Sequence, residues 1–147
     1  MFMFKRAIVA GVVAVAGLAV AVPAASAAAV NGNGDLYSNN SFCGGAQNKT
    51  PANDVGSVTV HKSQGGGTVS VNYHLKDATP GATYTVYLYT GFCLFDAVLG
   101  TVTVNDHGVG NANFQDVTVP AGTTQAFTYS FDSPFTQTIE SETVGLS

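Results

Sequence analysis

The sequence predicts an all-β fold, a single antiparallel two-sheet sandwich of seven to eight strands placed after a signal peptide. Three observations predict it. Apolar and polar residues alternate with period two through most of the chain after the leader, as they do on strands with one buried face. Turn signals built from Gly, Pro, Asn and Asp recur every eight to twelve residues. No stretch after the leader carries the 3.6-residue periodicity of a long helix.

The leader is read from Met1 to Ala27. Lys5 and Arg6 precede an unbroken small-apolar run from Ala7 to Val22, Pro23 ends it, and Ala25-Ser26-Ala27 has the small-x-small pattern of a signal-peptidase site. The alternative is an uncleaved membrane anchor, but the Ala- and Gly-rich run and its cleavage motif favour export. Removing 27 of the 147 residues leaves 120, enough for one domain with a core. Lys49, Lys62 and Lys76 then face nine carboxylates, a net charge of −6 with the histidines neutral. That balance argues against a nucleic acid partner, and against a membrane surface after cleavage. Twelve charges among 120 residues is well below the roughly 25% of ordinary soluble domains, so the surface must consist of Ser, Thr, Asn, Gly and Tyr.

Residues 28–55 show no periodicity and are expected to be an irregular N-terminal segment, with the sandwich over 56–147. Asn31-Gly-Asn-Gly34, Ser38-Asn-Asn-Ser41 and Gly44-Gly45 are loop signals in close succession. Val58 and Val60, the turn Gln64-Gly-Gly-Gly67, then Val69, Val71, Tyr73 and Leu75 read as a hairpin. Centred on Gly65 and Gly66, it sets His61 opposite Ser70 and His74 opposite Ser57. After the Pro80-Gly81 turn comes the best core strand, in which Tyr84, Val86 and Leu88 alternate with Thr85, Tyr87 and Tyr89. A strand from Val98 to Val104 turns inward Val102 and Val104. Asn105-Asp-His-Gly108 is a turn, followed by strands around Ala112 and Phe114 and from Phe127 to Phe131. The weaker, polar stretch from Thr136 to Val144 is expected to be an edge.

Cys43 and Cys93 are the only cysteines. In an exported chain they are expected to form a disulfide, for which closing a loop of this length gives roughly 4 kcal/mol. Phe92, Leu94 and Phe95 around Cys93 form an apolar loop with two readings. It either packs the N-terminal segment onto the domain or is an exposed interaction loop. The packing reading is preferred for Phe95, while Phe92 stays open.

No constellation for catalysis is found. His61 and His74 lie too far apart along their strands to share a metal, and His107 is a turn residue. Glu140 and Glu142 share the spacing of paired carboxylates, but negative charge also blunts an edge strand. Asp106 has no second carboxylate at calcium-loop spacing. Neither a Gly-x-Ser-x-Gly nor a phosphate-binding glycine motif occurs. No metal, cofactor or catalytic residue is therefore assigned.

The segments LKDATPGATYTVYLYTGFC and LGTVTVNDHGVGNANF, between Val69 and Phe114, resemble immunoglobulin-like domains of secreted bacterial proteins. The resemblance covers under half of the mature chain and implies an immunoglobulin-like sandwich. A more distant likeness is to the enediyne-carrying apoproteins, small acidic secreted sandwiches. Their chromophore cleft is flanked by two disulfides, which two cysteines cannot supply, so no residue is carried over. The expected function is that of a secreted, non-enzymatic structural protein of the cell or spore surface. Its partners would be the wall or coat and further copies of itself. The alternatives are a small-ligand or carbohydrate-binding module using Tyr87 and Tyr89, or a hydrolase inhibitor inserting the Cys93 loop.

Overall fold

A computed structural model of the chain describes residues 29–39, 44–91 and 95–147. The predicted leader, Cys43, Cys93, Phe92 and Leu94 lie outside the described residues. So does the side chain of Phe95, whose backbone opens a strand opposite Tyr89. The described residues form nine strands and no helix: β1 Val30–Ser38, β2 Asp54–Lys62, β3 Thr68–Leu75, β4 Thr83–Thr90, β5 Phe95–Thr103, β6 Gly110–Thr118, β7 Gln125–Asp132, β8 Thr138–Ser141 and β9 Val144–Gly145.

Every ladder is antiparallel, and one continuous path β5-β4-β7-β8-β1-β2-β3-β6 joins eight of the strands, with β9 paired to β7. The ladders do not divide into the two sheets that were expected. The ends of the path, β5 and β6, return to lie against each other, so the sheet is nearly a barrel. Gly100 permits this closure. A Cβ there, at φ 144°, would stand 3.0 Å from Cε1 of Phe114.

Inside, the alternation behaves as the sequence implies. Val58, Val60, Val71, Leu75, Tyr84, Val86 and Leu88 are fully or almost fully buried, each contributing about 1.5–3 kcal/mol of transfer free energy where the side chain is aliphatic. The β2–β3 register sets His61 opposite Ser70 and His74 opposite Ser57, and Val102 and Val104 are buried. Two expectations are corrected. The segment 28–55 is not irregular throughout, because Val30–Ser38 is a strand between β2 and β8. Its buried positions begin with Gly32 and Gly34, so the inward phase carries only one large apolar residue, Leu36. The polar C-terminal stretch is no edge either. β8 lies between β7 and β1, with Ile139, Glu140 and Ser141 completely buried.

Candidate functional site: an outward aromatic face on β4 and β7

On β7 the buried inward residues are Ala126, Thr128, Ser130 and Asp132, which are small or polar. Tyr73 of β3 explains this choice. Its hydroxyl crosses the interior to Ser130 Oγ at 2.8 Å, so large residues on β3 meet small ones on β7. The large residues of β7, Phe127, Tyr129 and Phe131, therefore occupy the opposite, outer phase. There they meet the outer residues of β4, since Tyr87 faces Tyr129, Tyr89 faces Phe127 and Thr85 faces Phe131.

The rings pack as cross-strand and diagonal pairs. Tyr89 and Phe127 stack with centroids 5.1 Å apart, and Tyr87 and Phe131 stack at 5.3 Å. Tyr129 tilts against Phe131 at 5.9 Å. Phe135 completes the row, stacked on Phe131 at 4.3 Å. One end of the face is covered, with Tyr89 6% and Phe127 2% exposed. The other end is open: Tyr87, Tyr129 and Phe131 are half-buried, and Phe135 is 67% exposed.

Phe135 is presented by the turn between β7 and β8. Its φ of 67° is a left-handed backbone that a bulky side chain rarely adopts. Asp132 braces the turn. Its Oδ1 accepts from the Gln137 amide at 2.7 Å, its Oδ2 accepts from the Thr136 hydroxyl, and its carbonyl accepts from the Phe135 amide at 2.6 Å. Gln137 ties the turn onward, since its Oε1 accepts from the Thr79 hydroxyl at 3.0 Å and from the Tyr84 hydroxyl.

Beside Tyr129 on the same face lies the buried Glu140, opposite Tyr129 on one side and Tyr37 on the other, with Oε1 accepting from the Gly45 amide at 3.2 Å. Burial, reinforced by this carboxylate, pushes the Tyr129 phenol up; burial and the neighbouring phenols of Tyr129 and Tyr87 do the same for Tyr89. Both phenols thus stay protonated, and the exposed rings of the face carry no charge. Glu142 is not paired with Glu140 as a second catalytic acid. It lies beyond β8, salt-bridged to Lys49 at 3.1 Å, and that ammonium holds its pKa below the usual value.

The remaining candidates stay apart from this face. His107 is exposed in the 105–108 turn, where the Asn105 side chain accepts the His107 and Val109 amides at 2.9 and 3.0 Å. His61 and His74 are exposed on β2 and β3, and Asp106 is exposed in the turn. Among the described residues no group of three or more His, Cys, Asp or Glu could hold a metal ion. No described helix is long and apolar enough to cross a membrane. A recess of about 280 Å³ between Thr90–Gly91 and residues 120–125 has neither a charged nor an aromatic side chain in its lining.

Tyr87 and Tyr89 are recognisable from the sequence as candidate ligand contacts, whereas Phe131 and Phe135 join them only through the fold. The available signal was the aromatic outer phase of β4, which a neighbouring aromatic strand could extend. The chain matches no family model, and no curated protein or solved structure matches it either.

Proposed function

We propose that the protein is an exported, non-enzymatic component of a cell or spore surface, attached to neutral polysaccharide there by the open end of its aromatic face. The observation that carries this reading is Phe135, two-thirds exposed, held at a positive φ and stacked on Phe131. One stacking contact on Phe131 does not account for a large ring left two-thirds exposed on a strained backbone, so such a residue points to a contact made outside the molecule. Aromatic rings offer broad apolar faces to the C–H surface of a sugar ring.

The charge distribution supports a neutral polymer over an anionic one. Lys49 and Lys76 are bound to Glu142 and Asp54, and the buried Lys62 ammonium donates to the Thr123 carbonyl at 3.0 Å. The described surface therefore offers little positive charge for phosphate or carboxylate groups of a wall polymer, since its two exposed lysines already have carboxylate partners.

Fractionation of a producing culture tests the proposal. The protein is expected on washed cells or spores and in a denaturant extract of them. Phe135→Ser is expected to weaken attachment roughly tenfold, the equivalent of about 1.4 kcal/mol, and to shift protein into the medium. Wild-type protein recovered wholly in the medium would overturn the reading.

A further inference from the structure

The opposite side of the molecule carries a second uncharged array. On β3 and β6, Asn72 pairs with Asn113 and His74 with Asn111, on either side of the Tyr73–Ala112 pair. These residues line a groove of about 390 Å³. Its outward side chains are oriented by one another. Gln115 donates to Asn113 Oδ1, and Asn113 Nδ2 donates to Asn72 Oδ1. His74 Nδ1 donates to Asn111 Oδ1 at 2.6 Å, an oxygen that can only accept. The directions are thereby set. Asn72 Nδ2 and Asn111 Nδ2 are left as donors toward solvent, beside the outer Nε2 edge of the His74 ring.

Hydroxyl groups both donate and accept, so this set of two amide donors beside an imidazole nitrogen suits a polyhydroxylated, uncharged ligand. The two cross-strand pairs are two residues apart, about 6.7 Å along the strands, the scale of one sugar ring with its hydroxyls. The array does not stop at the groove. On β1 and β2, Thr59 donates to Asn33 Oδ1 at 2.8 Å, and His61 bonds Asn31 Oδ1 in the same His–Asn arrangement. A polymer has somewhere to continue.

We propose that the Asn72–His74–Asn111 groove is a second polysaccharide-binding site, and that the protein bridges two polymer chains. The groove stands on its own residues, whereas the bridging rests on the aromatic-face reading. Tyr73 and Ser130 meet across the interior, so β3 faces β7 through the core and the outer faces of these strands point in opposite directions. One molecule thus presents one face to each of two chains.

The experiment is native electrophoresis of the full mature protein through gels containing glycol chitin or hydroxyethyl cellulose, both neutral. Phe135→Ser removes most of the aromatic contact and isolates the groove. In that background, Asn72→Ala with Asn111→Ala is expected to weaken the remaining retardation about tenfold. Light scattering of polymer mixtures reads bridging: wild-type protein is expected to raise it, and either single-face variant to bind without raising it. The asparagines are exposed, so folding is expected to persist. A second measurement needs no variant: the His74 ring and the Asn72 and Asn111 side-chain amide resonances should shift when a chito-oligosaccharide is added. Equal retardation of the Phe135→Ser protein with and without the asparagine changes would overturn the groove while leaving the aromatic reading intact. Retardation that the asparagine changes abolish and Phe135→Ser leaves untouched would overturn the bridging and the aromatic reading but keep the groove. Shifts confined to Tyr87, Tyr129 and Phe131 would also overturn the groove.

Discussion

Asp132 shows how one buried residue sets the exposure of another. It is 4% exposed, and burial alone would raise its pKa. The Thr136 hydroxyl and the Gln137 amide outweigh that and hold the carboxyl below its usual value of 3.8. A group whose pKa is lowered on folding stabilises the protein above its unfolded pKa, and the contribution disappears as pH falls through the folded value. Asp132→Asn is therefore expected to cost about 1–2 kcal/mol at pH 7, where the charged acceptor is lost. The gap from wild type should narrow as pH drops below about 4. Thermal melts of both proteins across an acid pH series check this. A gap that stays constant to the lowest pH would show that the carboxylate charge is not what braces the Phe135 turn.

Gly32 governs the fit between β1 and the C-terminal strand β9. A Cβ at this position would stand 2.0 Å from Val144 Cγ1 and 2.5 Å from the Gly145 carbonyl oxygen, so β9 can pack here only against a residue without a side chain. Gly32→Ala is expected to destabilise by roughly 1–3 kcal/mol or more, as overpacking does. Val144→Ala removes the first of the two clashing atoms at the cost of a buried methyl pair. The double variant should therefore be more stable than the sum of the single effects implies, a coupling that denaturant titration of the four proteins measures. The same glycine explains why β1 was not legible in the sequence. Its inward phase reads Gly32, Gly34, Leu36, Ser38, which alternates in burial without alternating in hydrophobicity. β8 was misread as an edge for a related reason. A polar residue such as Ser141 is buried there with its Oγ accepting from the Thr128 amide at 2.8 Å and donating to the Glu142 carbonyl at 2.8 Å. By contrast, β2, β3 and β4 were legible because Val, Leu and Tyr fill their inward positions and a Gly-rich turn sets the hairpin register.

For the whole molecule, what the sequence left open was phase and closure. The run Phe127-Thr-Tyr-Ser-Phe131 alternates strongly, but alternation does not say which phase is inside. That depends on Tyr73 and Tyr84 already filling the interior, which is a property of the other strands. Closure of β5 on β6 depends on a contact at Gly100 between residues far apart on the sheet path, and no local pattern encodes it. The consequence is a near-barrel with an aromatic face on one side and an amide face on the other, with the described lysines bound or buried. The claim that the aromatic face makes the attachment is tested most directly by hydroxyl-radical footprinting of the wild-type protein, in solution and bound to washed cells or spores. Protection on binding is expected at Tyr87, Tyr129, Phe131 and, most strongly, Phe135. Phe135 remaining as reactive in the bound protein as in the free one would contradict the account.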